Sequence, residues 1–320
     1  MLQVWNAIRH VYNKGTLSLV SRTNDFHTSA AQGCPIPIND LHRVSPDRYT
    51  QKERDERCKL AALYRLVHQE GWTQYIYNHI TAQVGEGHHF LLNPFGLLYE
   101  EVTASNLLKV NLEGDVIDPG TTLLGVNLAG YLLHSAIHAA RPDVKCVVHI
   151  HSPYAAAVST MKCGLLPMSQ EALLLGEISY HPYSGILVDQ TEREAIAKNL
   201  GPKNKVMMLQ NHGMVACGES IEEAWVNTYG TIHACEIQVQ AMGAGVDNLL
   251  VLDGKSLWER TAAIAASEDV AHQARTQVKW APGQLEFEAM MRKLDRQGHQ
   301  TGYPYQLPEV YATASEQQST

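Results

Sequence analysis

Two histidines one residue apart, near the end of a strand-like run, place the strongest constraint on how this chain folds. The run is KCVVHIHSPY, residues 145–154, and it contains His149 and His151. Alternate side chains of an extended strand share a face, so both imidazoles point to one side, roughly 7 Å apart at their backbones. Two such rings can bind one ion with Zn–N bonds of about 2 Å. The pattern predicts an incomplete metal site at a strand end; the alternative is a chance pair in a packed sheet, since the chain has 16 histidines.

The composition is that of a globular protein with a substantial core. The chain has 320 residues, of which 45% are hydrophobic and 18% charged. A net charge of −8 and a pI near 6.0 argue against a surface devoted to nucleic acid or anionic membrane. The six cysteines are widely spaced and form no CxxC pair, so neither a disulfide framework nor a thiolate zinc site is indicated. No apolar run is long enough to predict a transmembrane segment.

The N-terminal segment differs from the rest in composition. Residues 1–33 are rich in Ser, Thr and Asn and contain more basic than acidic side chains. This composition predicts a mitochondrial transit peptide, with a disordered arm as the alternative. Pro35 and Pro37 mark a linker after it. We therefore divide the chain into an N-terminal extension (1–45), a head domain (46–245), a C-terminal extension (246–305) and a disordered tail (306–320).

Hydrophobic periodicity and capping patterns predict alternating helices and hairpins. A short helical turn is expected after Thr103 or Ser105 as its cap. His212 interrupts the strand-like run 205–217 and is the candidate for a third metal ligand. The predicted helices are 50–71, 127–140, 153–161, 221–242 and 284–297, and the predicted strands are 75–84, 88–94, 109–118 (a hairpin), 145–151 and 205–217.

Several long motifs, in order, resemble the class II aldolase/adducin family, and most closely its adducin head domains. They include VVHIHSPY, QNHGMVACGES and NPFGLLYEEVTASNLLKVNLEGD, and the likeness runs from about residue 58 to 305. The resemblance implies an α/β fold with three αβα layers around a central mixed, largely antiparallel sheet. It also implies a homo-oligomer, since the aldolases of the family are similar to cyclic tetramers with sites at subunit boundaries.

The resemblance assigns a role to all three histidines. His149, His151 and His212 coincide with the zinc-binding histidines of the family's sugar-phosphate aldolases and epimerases. The cofactor implied is Zn²⁺ or another divalent metal, which in such enzymes stabilises an enediolate as a Lewis acid.

Other positions depart from those enzymes. Gly130 stands where the aldolases carry an acid/base glutamate, and the two serines before that position are also replaced. Asn78 and Gly96 match substrate-phosphate contacts, but Phe95 stands in place of a helpful threonine. A phosphorylated sugar is therefore a poor substrate prediction. Glu171, close to the position of a proton-donating tyrosine, is the remaining candidate for a catalytic carboxylate, and a solvated helix end is its alternative role.

Two hypotheses follow. The first is a noncatalytic, metal-binding oligomer of the adducin-head type that acts through cytoskeletal, actin-linked protein partners in the cytoplasm. The second is a zinc-dependent lyase of class II aldolase type, acting on a small unphosphorylated hydroxy-carbonyl compound or keto acid; the predicted transit peptide would place such an enzyme in the mitochondrion.

Overall fold

A computed structural model gives the fold of most of the chain. The N-terminal segment predicted to be a targeting signal lies outside the described residues, as does most of the predicted tail. The structure describes residues 35–85, 87–182, 185, 190–252, 257 and 278–309.

One eight-stranded mixed sheet forms the centre of the fold. Its strand order is β4-β3-β2-β1-β5-β8-β7-β6. Every neighbouring pair is antiparallel except β6 and β7, which are parallel. The prediction of a mixed, largely antiparallel sheet is confirmed. The strands are β1 (His79–Gln83), β2 (Phe90–Leu92), β3 (Leu108–Val110), β4 (Val116–Asp118), β5 (Cys146–Ile150), β6 (Ile178–His181), β7 (Val206–Leu209) and β8 (Gly213–Gly218).

Seven α-helices of the described residues cover the sheet. The fifth was not predicted from the sequence. It is short and charged, and it connects the parallel strands β6 and β7. No described helix has the length and apolar character that a membrane span needs. The helices are α1 (Gln51–Gln69), α2 (Leu128–Ala140), α3 (Pro153–Ser159), α4 (Gln170–Leu174), α5 (Gln190–Leu200), α6 (Ile221–Ala241) and α7 (Gln284–Arg296).

The alternation of β5 divides the apolar core between the two faces of the sheet. Cys146, Val148 and Ile150 face a large core built with α1, α3, α6 and α7. Val147 faces a second core that contains residues of α2 and α5. Both cores are closed to solvent. The result is the three-layer αβα arrangement that the family resemblance implied.

Buried residues begin directly after Pro37, the end of the predicted linker, and before the domain boundary at residue 45. Ile38 is fully buried, and Asp40 is 2% exposed. The Asp40 carboxylate accepts hydrogen bonds from Thr103 Oγ1 (2.9 Å), Ser105 N (2.9 Å) and Ser105 Oγ (2.7 Å). The segment after Thr103 forms a turn, as predicted, but the hydroxyls of Thr103 and Ser105 donate to Asp40 and do not cap it.

The C-terminal helix is part of the main core. On α7, Phe287, Met291 and Leu294 are fully buried in the cluster that also contains residues of α1 and α6. The segment predicted to be a C-terminal extension therefore contributes side chains to the hydrophobic core of the head.

Replacing Phe287 by alanine tests this contribution. Phe287→Ala removes a fully buried ring, so we expect the free energy of unfolding to fall by about 3–5 kcal/mol. Leu285→Ala on the same helix is the control, because Leu285 is 39% exposed and its removal should cost well under about 1 kcal/mol. Urea unfolding followed by circular dichroism measures both. Equal, small losses would mean that α7 does not stabilise the head.

Candidate metal centre

Three imidazoles converge where β5 ends beside the β7–β8 hairpin. His149 is the penultimate residue of β5, His151 follows the strand, and His212 comes from the hairpin loop. One ring nitrogen from each lies within 4.8 Å of the others, and this is the one such group of potential ligands within the described part of the chain. Ring centroids are 4.5–4.9 Å apart. The structure thus brings the three predicted ligands together.

The hairpin loop that carries His212 is held by backbone geometry and by Ser159. Asn211 has a φ of 57°, a left-handed conformation that asparagine tolerates better than most residues. The amide of Asn211 donates to Ser159 O (3.1 Å), and the amide of His212 donates to Ser159 Oγ (3.2 Å). At Gly213 an added Cβ would lie 2.6 Å from Ile150 O, so only glycine fits this close to β5. These contacts fix His212 against the end of β5.

In His149 and His151, the hydrogen bond at Nδ1 determines whether Nε2, the nitrogen that faces the centre, carries a proton. His149 Nδ1–H donates to Met214 O at 3.0 Å, and His151 Nδ1–H donates to Gln74 Oε1. Each Nε2 is therefore unprotonated in the neutral ring. These two nitrogens face each other at 2.8 Å. Because two lone pairs repel at this distance, the arrangement favours a cation between them.

Burial keeps the three rings neutral. It lowers the pKa of His149 well below its ordinary value and that of His151 to about 4, and it also lowers the pKa of His212. At neutral pH the nitrogens are thus free to bind a cation without releasing protons. Imidazoles held by a carbonyl or amide oxygen at the second nitrogen are typical zinc ligands, and three protein ligands leave a coordination position open. The residues present fit a Zn²⁺ ion.

A second group of histidines, which the sequence analysis missed, lies beside the first. His79 Nδ1 is 3.2 Å from His134 Nε2, and His134 Nδ1 is 2.8 Å from Thr81 Oγ1. Thr81 Oγ1 is also 2.8 Å from His138 Nε2, and His138 Nδ1 is 3.2 Å from Val144 O. We call His79, His134, Thr81 and His138 the histidine relay. The sequence contained two signals for it. His79 and Thr81 share a strand face, and His134 and His138 share a helix face.

The relay reaches the centre through His79. The His79 ring stacks on that of His149 with centroids 5.2 Å apart. Burial lowers the pKa of His79 to about 3, that of His138 to about 4 and that of His134 well below its ordinary value. The relay is therefore uncharged at neutral pH.

Gly130 leaves the space that His79 occupies. Gly130 lies in the first turn of α2, where its amide donates to the cap residue Asn127. A Cβ added to Gly130 would lie 2.0 Å from His79 Nε2. His79 is buried and cannot easily move aside. An aldolase-type glutamate at position 130 is thus incompatible with the His79 ring where it stands.

The other predicted site residues are Asn78, Gly96 and Glu171, and each makes different contacts. Asn78 is buried; its Nδ2 donates to Trp72 O at 3.0 Å, and its Oδ1 has no hydrogen-bond partner among the described residues. Gly96 has a φ of 119° and lies against Leu124. Glu171, in the first turn of α4, acts with other acids to raise the pKa of Tyr229, after the larger effect of burial. Substrate contacts at Asn78 and Gly96 and a catalytic role for Glu171 stay predictions.

Comparison with known families and proteins gives a consistent result. Residues 58–239 match the family model described as Class II Aldolase and Adducin N-terminal domain. Rat alpha-adducin is 56% identical over 283 residues, which are 87% of this chain and 38% of that protein. The chain therefore spans well under half the length of this curated relative.

Solved structures agree with this match. An aldolase II superfamily protein from Pseudomonas syringae is 41% identical, with a TM-score of 0.70, and the match covers 80% of this chain and 98% of that one. L-fuculose 1-phosphate aldolase from Glaciozyma antarctica is 28% identical, with a TM-score of 0.65, over 79% of this chain and 96% of that one.

Acid should destabilise the protein through its buried histidines. The folded-state pKa values lie below the value of about 6.5 for an unfolded histidine, so the unfolded chain binds more protons between about pH 6.5 and 4. Stability is thus full above pH 6.5 and falls with pH by up to about 1.4 kcal/mol per unit for each such histidine. Urea unfolding of metal-free protein at pH 7, 6 and 5 measures this slope.

His138→Gln serves as the matched variant, since it removes one titrating ring outside the metal ligands. Its slope between pH 6 and 5 should be smaller by roughly the contribution of one histidine. Equal stability at pH 7 and pH 5 in the wild type would contradict the assignment of neutral buried rings.

Proposed function

Because the chain belongs to the class II aldolase and adducin family, we propose that it is an adducin-head-type module that binds a divalent metal and acts through protein partners. The matching relatives are longer, since the match covers only 38% of the length of rat alpha-adducin. The module is therefore proposed to do what a head domain does, which is to assemble with other chains, and its partners are proposed to be cytoskeletal, as the adducin relationship suggests.

The observation that carries the metal proposal is the pair of facing nitrogens. His149 and His151 are each held at Nδ1 by an acceptor, and their bare Nε2 atoms are 2.8 Å apart. His212 adds a third donor within reach. A Zn²⁺ ion held by these three imidazoles would tie the end of β5 to the β7–β8 hairpin, and when bound it would supply Lewis-acid character.

Position 130 supports a noncatalytic role. The family's aldolases use a glutamate there, whereas here the residue is glycine and the adjacent volume holds the His79 ring. The proton transfer that such a carboxylate performs in an aldolase thus has no group at that position.

An exposed apolar surface supports assembly with protein partners. It lies at β4, the edge strand of the sheet, and in the connection that follows. Its side chains are 40–101% exposed in the isolated chain, and groups of exposed apolar residues commonly mark interaction sites. We propose a homo-oligomer, with a tetramer as the expected size, and a location in the cytoplasm at the cytoskeleton. The surface, named here the β4 apolar surface, consists of Val116, Ile117, Leu123, Leu124 and Leu128.

A zinc-dependent lyase on a small unphosphorylated hydroxy-carbonyl compound or keto acid is the second candidate. The open position left by three protein ligands and the 28% identity to an L-fuculose 1-phosphate aldolase favour it. Glu171 is its candidate proton-transfer residue. The two candidates differ in whether zinc-loaded protein cleaves such compounds.

Metal content tests the site. Purified wild type is expected to hold about one zinc ion per chain, and the His149→Ala, His151→Ala double variant close to none, since one remaining imidazole binds weakly. His88→Ala, at an exposed histidine, is the control and should keep the wild-type content. Elemental analysis gives the metal, and circular dichroism checks the fold. If wild type and double variant hold equally little zinc, the ligand assignment is wrong.

Assembly tests the β4 apolar surface. We expect Leu123→Ser combined with Leu128→Ser to shift the protein from an oligomer to smaller species in analytical ultracentrifugation, because both side chains lose solvent contact only on association. Leu250→Ser, at a leucine that is 91% exposed outside this surface, should leave the oligomer unchanged. Co-sedimentation of each protein with actin filaments then examines the partner proposal. An oligomer unaffected by the paired substitution would exclude this surface.

A further inference from the structure

The outer nitrogen of His149 is held by the sheet itself. His149 Nδ1 donates to Met214 O, a backbone carbonyl of β8 at a fully buried residue. A carbonyl oxygen can only accept, so the proton of the neutral ring stays on Nδ1. The ladder between β5 and β8 holds this carbonyl in place. The tautomer of His149 is therefore fixed by the fold, and its Nε2 is an acceptor.

His151 has a different kind of partner. Its Nδ1 donates to the side-chain oxygen of Gln74, an exposed residue in the connection between α1 and β1. Among the described residues no other group bonds to this nitrogen. A side-chain amide can rotate away, which a strand carbonyl cannot do. The tautomer of His151 therefore depends on where the Gln74 amide lies.

A second tautomer of His151 competes with the one that can bind metal. His151 Nε2 is 2.8 Å from His149 Nε2, which is the length of a hydrogen bond. A proton moved from Nδ1 to Nε2 of His151 would be donated to the lone pair of His149. The two rings would then bond to each other, and neither Nε2 would be available to a cation. The ring stays neutral throughout, because the proton moves within it.

We propose that Gln74 controls metal binding by holding the His151 proton on Nδ1. The inference rests on the proposed metal function and adds a means of regulating it. While Gln74 Oε1 accepts from Nδ1, both Nε2 atoms keep their lone pairs and the centre is open to a cation. When the amide is withdrawn, the proton moves to Nε2 and the histidine pair closes. Gln74 is thus a positioning residue that acts through His151.

The segment that carries Gln74 is anchored on both sides and exposed between the anchors. The Trp72 ring packs against Trp225 with centroids 5.7 Å apart, and Trp72 O accepts from Asn78 Nδ2 at 3.0 Å. Between these anchors Tyr75 is 78% exposed and has a φ of 48°, a left-handed conformation uncommon for tyrosine. A displacement of Tyr75 would therefore move the Gln74 amide. By linkage, an ion at the centre should in turn hold this segment in place.

Nuclear magnetic resonance of the full chain labelled with ¹⁵N-histidine measures the tautomer of His151 in metal-free protein at pH 7. Wild type should carry the proton on Nδ1. Gln74→Leu has a similar volume but no acceptor, so its His151 should carry the proton on Nε2. Gln74→Glu restores an acceptor and should return the proton to Nδ1. A wild-type proton on Nε2, or no change in Gln74→Leu, would overturn the proposal.

Competition with a fluorescent chelator measures the affinity for zinc. Gln74→Leu should bind zinc about 10–100-fold more weakly than wild type, the usual effect of removing the partner of a ligating histidine. Gln74→Glu should recover at least the wild-type affinity. Gln240→Leu, at an exposed glutamine of α6, is the matched control and should change neither the tautomer nor the affinity. Circular dichroism checks the fold of each variant. Equal affinities of wild type and Gln74→Leu would refute the proposed control.

Hydrogen exchange examines the coupling in the reverse direction. Saturating zinc should slow the exchange of backbone amides in residues 73–76 of the wild type, and Gln74→Leu should lose this protection. A wild type that binds zinc without such protection would contradict the coupling. A wild type that binds no zinc would instead contradict the proposed metal function. The tautomers of the metal-free proteins would still decide whether Gln74 sets the position of the His151 proton.

Discussion

The pairing of β5 with its two neighbours is the interaction on which the rest of the structure depends. In that register His149 lies opposite His79 of β1 and opposite Val215 of β8. Side chains alternate with a period of two, so a slip of β5 by one residue would move its histidines to the face of Val148. The apolar residues that fill the two cores therefore also fix the direction of the imidazoles. Core packing and the geometry of the site are set by the same hydrogen-bonded ladder.

The site is polar and uncharged, a combination that is costly unless every ring nitrogen has a partner. Histidines supply acceptors as well as donors, so Thr81 Oγ1 and Val144 O suffice to connect the relay and no carboxylate is needed. Because unprotonated ring nitrogens face the centre, this uncharged site favours binding of a cation. The glycine at position 130 leaves the space that the His79 ring takes.

Local spacing explains what could be predicted from the sequence. The faces of β5, the three converging histidines and most helices follow from periods of two and 3.6 residues and from capping patterns. The relay could not be assembled in this way, because His79 and His134 are 55 residues apart and only strand register and the packing of α2 bring them together. The role of Asp40 is a similar case, since its partners lie more than 60 residues away. Helix α5 was missed because few of its residues are apolar.

The turn between α2 and β5 has an effect beyond joining two elements. It is held by Arg141, which pairs with Asp143 at 2.6 Å and donates to Gly201 O and Asn204 O. The turn carries Val144, whose carbonyl sets the sense of every bond in the relay. While His138 Nδ1 donates to Val144 O, the hydrogen bonds of the relay cannot reverse their direction. A disturbance of this turn could therefore change which nitrogen of His79 carries the proton, four hydrogen bonds away. The backbone around the metal ligands would stay in place. Such long-range coupling is carried by proton position alone.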